Sequence, residues 1–244
     1  MLPLEPSAVA AELRAIGFVR GNASEIAPAL AARGLADWQG FAASWNDLGL
    51  DVYMADGGRY RRRRHAVFTL GSEGLTRESH RPHYQSRDYN SLNGGIARWF
   101  EPVQEEVAAH PALRAALALA YESFNLVTPH DRWEIELHQF RISAAVGTEG
   151  RPTPEGMHRD GVDFVMVMLV HRENVQSGVT IIEDTAQTKL DSFTLTEPMD
   201  ATLVDDHRVF HGVTPIVPID PARPAWRDVL VATFRRVLPS SSPA

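Results

Sequence analysis

The stretch DFVMVMLV (163–170) is apolar at successive positions once past Asp163. Neighbouring side chains on a strand point to opposite faces, so a strand of this kind must be covered on both. That requirement excludes a free-standing barrel with one wet surface and demands a second layer over the sheet. The segments able to supply it lie in the first half of the chain. Pro6 precedes a short helix, Ser7 to Ile16, that Gly17 closes. Asn22 followed three residues later by Glu25 has the form of a capping box, in a helix closed by Gly34. Trp38, Phe41, Trp45 and Leu48 form the stripe of a helix packed on a core. Two more helices are predicted over 96–109 and 111–125, the second opened by Pro111. A strand at 65–70 and the polar loop HRPHYQSRDYNSLNGG lie between them.

The second half is strand-rich. EIELHQFRI (134–142) alternates, and VTIIE (179–183), FTLT (193–196), ATLVD (201–205), VFHGV (209–213) and DVLVATF (228–234) follow at short intervals. Turn residues separate them. The expected fold is mainly β with α: a jelly-roll, cupin-like core of two antiparallel sheets with N-terminal helices packed on the larger sheet. The reading is of one domain over 1–244, with a helix-rich layer at 1–130, the jelly-roll at 131–238 and a disordered tail at 239–244. A chain of 244 residues is long enough for a sizeable core.

Composition narrows the function classes. A net charge of −7 argues against a general nucleic-acid binder, which needs basic excess to neutralise phosphates. Absence of cysteine excludes disulfides, thiolate nucleophiles and iron–sulfur ligation. The first residues, MLPLEPSAVAAELRAIG, lack a basic n-region and a long apolar run, and no stretch approaches a bilayer span. The expectation is a soluble, cytoplasmic protein without membrane or nucleic-acid partners; homo-oligomerisation is left open.

GMHRDGVDF (156–164) places two polar groups at the mouth of the buried strand. If His158 and Asp160 lie on a strand, both face inward and Arg159 turns away. An imidazole and a carboxylate at one point make two-thirds of a facial triad for non-haem iron(II), which needs a second histidine. His211, in VFHGV, is the candidate; His207, in a polar turn-like run after Asp205 and Asp206, is its rival. Iron(II) that activates oxygen uses a two-electron reductant, commonly 2-oxoglutarate, whose distal carboxylate needs a cation. Arg227, opening RDVLVATF, can pair with it bidentately. Arg223 is the weaker alternative, and Thr214 or Thr233 could add a hydroxyl.

HRDGVDFV, SGVTIIED, FTLTEPMDATLVDDHRVFHGVTPI and RDVLVATF also resemble the bacterial iron(II)/2-oxoglutarate dioxygenases that hydroxylate free L-amino acids, the isoleucine-4-hydroxylase-like group. The resemblance is strongest over 134–235 and extends loosely to HYQSRDYNSLNGGIARWFEP (83–102). It implies a double-stranded β-helix, and as co-reactants iron(II), 2-oxoglutarate and O2, with ascorbate as an in vitro reductant. It places His158, Asp160 and His211 on the iron and Arg227 on 2-oxoglutarate, which loses carbon dioxide to give succinate while a substrate C–H is hydroxylated. A peptide-bound or natural-product substrate, or a cupin-like binding module without oxygenase activity, are the alternatives.

An amino-acid substrate needs a cation for its carboxylate and an acceptor for its ammonium. In EIELHQFRI, Gln139 and Arg141 share one face, His138 and Phe140 the other. Which face lines the pocket is open: Arg141, with Gln139, is a candidate substrate contact, and an outer-face pair with Glu134 or Glu136 is the competing reading. Gln85, Arg87 and Asn90 are candidates for a lid. Met166 and Met168 read as core residues, and the run Arg61 to Arg64 as a solvated lead-in to a strand or a subunit contact.

Overall fold

The computed structural model describes residues 2–90 and 92–237. The expected tail at 239–244 lies outside the described residues. In chain order the elements are α1 (Pro6–Ile16), β1 (Phe18–Gly21), α2 (Ala23–Ala31), α3 (Trp38–Ala43) running into a 3-10 turn (Ser44–Asp47), β2 (Arg61–Gly71), β3 (Gly74–Arg77), α4 (Glu105–Ala108) and α5 (Pro111–Val127). There follow β4 (Arg132–Ala144), β5 (Phe164–Glu173), β6 (Val175–Ser177), β7 (Thr180–Asp184), β8 (Lys189–Phe193), β9 (Ala201–Asp205), β10 (Val209–Val213), β11 (Ile216–Pro218) and β12 (Ala225–Arg236).

The large antiparallel sheet has the order β1-β9-β5-β12-β4-β2-β3. A smaller sheet, β10-β7-β8, and a ribbon, β11-β6, make up the other strands. The apolar run on β5 is central, paired with β12 on one side and β9 on the other, and both of its faces are covered. Its even residues, Met166 and Met168, join the core beneath α1, α2 and α5 with Leu137, Leu230 and Phe234. Its odd residues, Val165 and Leu169, pack with Ile182, Phe193 and Val209 of the smaller sheet. Met166 and Met168 are therefore core residues, on the face opposite the cavity described below.

Local signals set the helix ends. Gly17 ends α1 in the left-handed conformation, φ 86°, open to glycine at little cost. The Asn22–Glu25 capping box is formed. Trp45 reaches under the sheet, and its Nε1–H donates to the carbonyls of Phe140 (3.1 Å) and Val229 (3.3 Å).

Three expectations are corrected. The helix predicted over 96–109 shrinks to α4, because Pro102 interrupts it and the preceding backbone pairs instead: Arg98 with His83, and Glu101 and Val103 with His65. The strand predicted at 193–196 lies earlier, at β8, pairing with β7 through a bulge. The strand predicted at 65–70 starts four residues sooner, so the arginine run is part of β2. Alternation then buries Arg61 and Arg63 on the inner face, against the expectation of a solvated run. Among the described residues no helix is long and apolar enough to cross a membrane.

Candidate active site

Between the two sheets lies a cavity of about 130 Å³. The large sheet gives it a wall of Val165, Val167, Val229 and Val231. His83, Tyr84, Gln85, Asn90 and Arg98, with the loop before β5, close it.

His158, Asp160 and His211 converge on this cavity, with one potential ligand atom from each lying within 4.8 Å of the others. The expected strand at 158–160 is absent, so alternation is not what aligns them. Two devices do so instead. The backbones of His158 and His211 exchange hydrogen bonds of 3.0 and 2.9 Å, locking the loop to β10. The buried carboxylate of Asp206 accepts the backbone N–H groups of Asp160 (2.9 Å), Gly161 (2.7 Å) and Val162 (3.1 Å). Gly161 makes that turn possible: its φ is +76°, and a Cβ there would sit 2.6 Å from the Tyr89 ring. Arg159 turns away from the cavity, its guanidinium over the Phe210 ring.

The triad's chemistry suits a divalent cation. His158 Nδ1 lies 3.1 Å from the Gly156 carbonyl, a contact that fixes the proton on Nδ1 and leaves Nε2 free to ligate. Asp160 Oδ1 is 3.9 Å from His158 Nε2, and Oδ2 is 3.4 Å from His211 Nε2. Burial pushes the Asp160 carboxyl up, but the His211 hydrogen bond and the two imidazoles hold it well below the usual range, as an anion. Two histidines and one carboxylate form the donor set of a non-haem iron(II) site with open positions. The rival His207 is mostly exposed and pairs with Asp163.

Arg227 lines the same cavity and is 2% exposed, yet its Nε and Nη2 have no hydrogen-bond partner. Burial and the nearby Arg172 guanidinium bring its pKa down to about 10, so it stays charged near neutrality. A buried, charged and unpaired guanidinium is costly unless an anion joins it. The rival Arg223 is exposed and paired with Glu173.

Thr214 is not brought into the cavity. Its hydroxyl oxygen accepts the Val179 N–H at 2.9 Å, whereas Thr233 does line the cavity. Gln85 is brought in: its Nε2 donates to the backbone oxygen (3.2 Å) and Oδ1 (3.3 Å) of Asp160, and Asn90 holds its other end. Arg87 is exposed and lines nothing. Gln139 and Arg141 are corrected outright, because the cavity face of β4 carries Glu136, His138 and Phe140. Gln139 donates to Ser44 Oγ, and Arg141 pairs bidentately with the buried Asp228 of β12, both bonds 2.7 Å.

Sequence reasoning missed the cavity's polar end. Arg61 pairs with Asp51 at 2.7 Å, and Arg63 lies 3.6 Å from the same carboxylate. Arg63 is stacked between the rings of Phe100 and Phe140 and contacts His138 Nδ1 at 2.7 Å. Glu136 binds both His65 and His83. The alternation RRRRHAVF (61–68) held the signal, since Arg61, Arg63 and His65 share one face. His65, His83, Glu136 and His138 also lie within metal-ligand reach of one another. That cluster fits a cation poorly, because Glu136 is already engaged twice and His138 faces the Arg63 guanidinium.

Known proteins resemble the chain in sequence and fold. The solved structure of a bsmA homologue from Methylobium petroleophilum PM1 is 39% identical, covering 96% of this chain and 94% of that one at a TM-score of 0.87. The structure of IDO from Bacillus thuringiensis has the same fold, with a TM-score of 0.78 at 19% identity over 96% of this chain and all of that one. In sequence, the L-isoleucine-4-hydroxylase of Bacillus thuringiensis is 28% identical over 62% of this chain and 64% of its own length, so the match spans less than two-thirds of that enzyme. The 3(1)-hydroxy-L-isoleucine 4-dioxygenase of Pantoea ananatis is also 28% identical, over 79% of this chain and 78% of its own. The 2OG-Fe dioxygenase family model matches residues 42–233, and the chain belongs to that family, whose chemistry runs on iron(II), 2-oxoglutarate and O2.

Proposed function

We propose that the protein is a single-domain dioxygenase that hydroxylates a C–H bond of a free L-amino acid, a small-molecule substrate, and converts 2-oxoglutarate to succinate. The observation that carries this reading is the shared cavity: a buried His–Asp–His set, an unpaired buried arginine and a separate polar end around one valine wall. The names of the two curated relatives, both isoleucine-directed oxygenases, support the amino-acid class.

In this reading His158, Asp160 and His211 hold iron(II), and Arg227 pairs with the distal carboxylate of 2-oxoglutarate. Bound together, metal and co-substrate would supply the electrons that activate O2 for oxidation of an unactivated C–H bond. The protein's own groups prepare the place. Asp206 fixes the loop that carries Asp160, and Gln85 orients the Asp160 carboxylate. The valines exclude water from an apolar side chain. The test is mass spectrometry of the twenty L-amino acids incubated with enzyme, iron(II), ascorbate and 2-oxoglutarate. One of them gains a single oxygen atom, with stoichiometric succinate. Silence from all twenty, beside turnover of a peptide-bound residue, contradicts the reading.

A further inference from the structure

Most charged side chains at the cavity's polar end have ion-pair partners, although Arg63 Nε makes no hydrogen bond. Arg61 and Arg63 share Asp51, and Glu136 is taken by His65 and His83. Beyond Arg63 and Arg227, two cavity-lining groups of opposite charge have unpartnered buried atoms. Arg98 is 2% exposed, lines the cavity, and makes no ion pair among the described residues; its Nε and Nη2 lack any hydrogen-bond partner. Glu155 lines the cavity too. Its Oε2 is buried without a hydrogen-bond partner, and among the described residues the charge-bearing group within 4 Å of its carboxylate is His158, at 3.7 Å.

We propose that Arg98 and Glu155 are the specificity-determining pair for the head group of an α-amino acid, Arg98 taking the carboxylate and Glu155 the ammonium. This rests on the amino-acid reading above and goes beyond it by naming the residues. A zwitterion carries one anion and one cation on a single carbon, and with Arg227 given to 2-oxoglutarate the cavity still offers a cation, Arg98, and an anion, Glu155, that have no ion-pair partner closer than 3.7 Å. Leaving either buried charge unpaired costs more than pairing it, so a ligand that satisfies both is favoured over one that satisfies neither. The two charges also act on each other: Arg98 is depressed by burial and by Arg61, while Asp51, Glu155 and Glu136 partly restore it.

Their anchoring suits a selective role. Arg98 is fixed by backbone hydrogen bonds to His83, 2.9 and 3.0 Å, on the segment that closes the cavity. Glu155 stands three residues before His158 in the loop that carries His158 and Asp160. The ammonium acceptor and a metal ligand thus share one turn, which sets how far along the side chain the reactive position falls.

The experiment uses the full chain loaded anaerobically with manganese(II) and 2-oxoglutarate. Calorimetry first ranks the twenty L-amino acids. The tightest binder is then compared with its primary amide, which lacks the carboxylate, and with its 2-hydroxy acid, which lacks the ammonium. The wild type prefers the amino acid over each analogue by about 100-fold, the range of a charged hydrogen-bond pair. Arg98→Gln abolishes the preference over the amide, and Glu155→Gln the preference over the hydroxy acid, while 2-oxoglutarate affinity stays within about threefold in both. Should Arg98→Gln fail to fold, Arg98→Lys carries the test through loss of the forked contact, with an expected tenfold drop, roughly, in the preference over the amide. Unchanged preferences in the variants overturn the assignment and leave the amino-acid reading standing. If the wild type neither binds nor oxidises any of the twenty, that reading fails and takes this assignment with it.

Discussion

Replacing Asp206 should loosen the metal site without touching a proposed metal ligand. Its carboxylate is buried and accepts three backbone N–H groups, all from the turn that presents Asp160. Oδ1 serves Asp160, and Oδ2 serves Gly161 and Val162. Asparagine has one acceptor oxygen, so at least one N–H faces an NH2 group and loses its partner. An unsatisfied buried donor costs about 1–3 kcal/mol. A counter-term exists: burial and the Asp160 charge push the Asp206 carboxyl up, and removing the like charge relieves that repulsion. A net loss of about 2 kcal/mol is expected for Asp206→Asn, and about 4 kcal/mol for Asp206→Ala, which orphans all three donors. In a chain of this size 2 kcal/mol lowers Tm by roughly 4–8 °C. Because the turn then holds Asp160 less firmly, metal affinity should fall about 10- to 100-fold. Manganese(II) titration and thermal melts of the apo proteins read the two effects separately. Variants that bind manganese as the wild type does and melt within about 1 °C of it would refute the idea that Asp206 builds the site.

Other expectations follow from the same geometry. Arg227→Met should raise the 2-oxoglutarate concentration needed for half-saturation about 100-fold and leave manganese affinity unchanged, as measured by co-substrate titration. Arg141→Ala should cost about 3 kcal/mol by stranding the buried Asp228, with no change in KM for the amino acid, separating a structural ion pair from a substrate contact. Burial lowers the His83 imidazole to about 4 from an ordinary 6.5, against the pull of Glu136. The unfolded chain therefore binds the proton first as pH falls, and stability drops between about pH 6.5 and 4, by at most about 3 kcal/mol from this group. Denaturant unfolding across that range should show the loss, and His83→Gln should reduce it, leaving the part due to the buried His65 and His138, which burial also depresses.

The sequence revealed the site more fully than its supports. ATLVD and VFHGV coincide with β9 and β10, because alternation and turn residues bound them cleanly. His158 and Asp160 do meet His211, but strand alternation is not what aligns them: a loop clamped by Asp206, 46 residues away from Asp160, does so. Periodicity carries no information about such a clamp. It was equally silent on Arg61 and Arg63, where a whole-chain charge of −7 suggested solvation although the relevant quantity was the one carboxylate, Asp51, that folds against them. The two faces of β4 were equally polar in sequence, and only the placement of Ser44 and Asp228 on the helix side shows why Gln139 and Arg141 turn from the cavity.

The central claim is that one metal sits among His158, Asp160 and His211, and the fold contains its own competitor in the cluster of His65, His83, Glu136 and His138. A crystal structure grown anaerobically with manganese(II) and 2-oxoglutarate decides between them. The account predicts metal density bonded to residues 158, 160 and 211, with the distal carboxylate of the co-substrate on Arg227. Metal bonded at the four-residue cluster instead, with the triad empty, would contradict it.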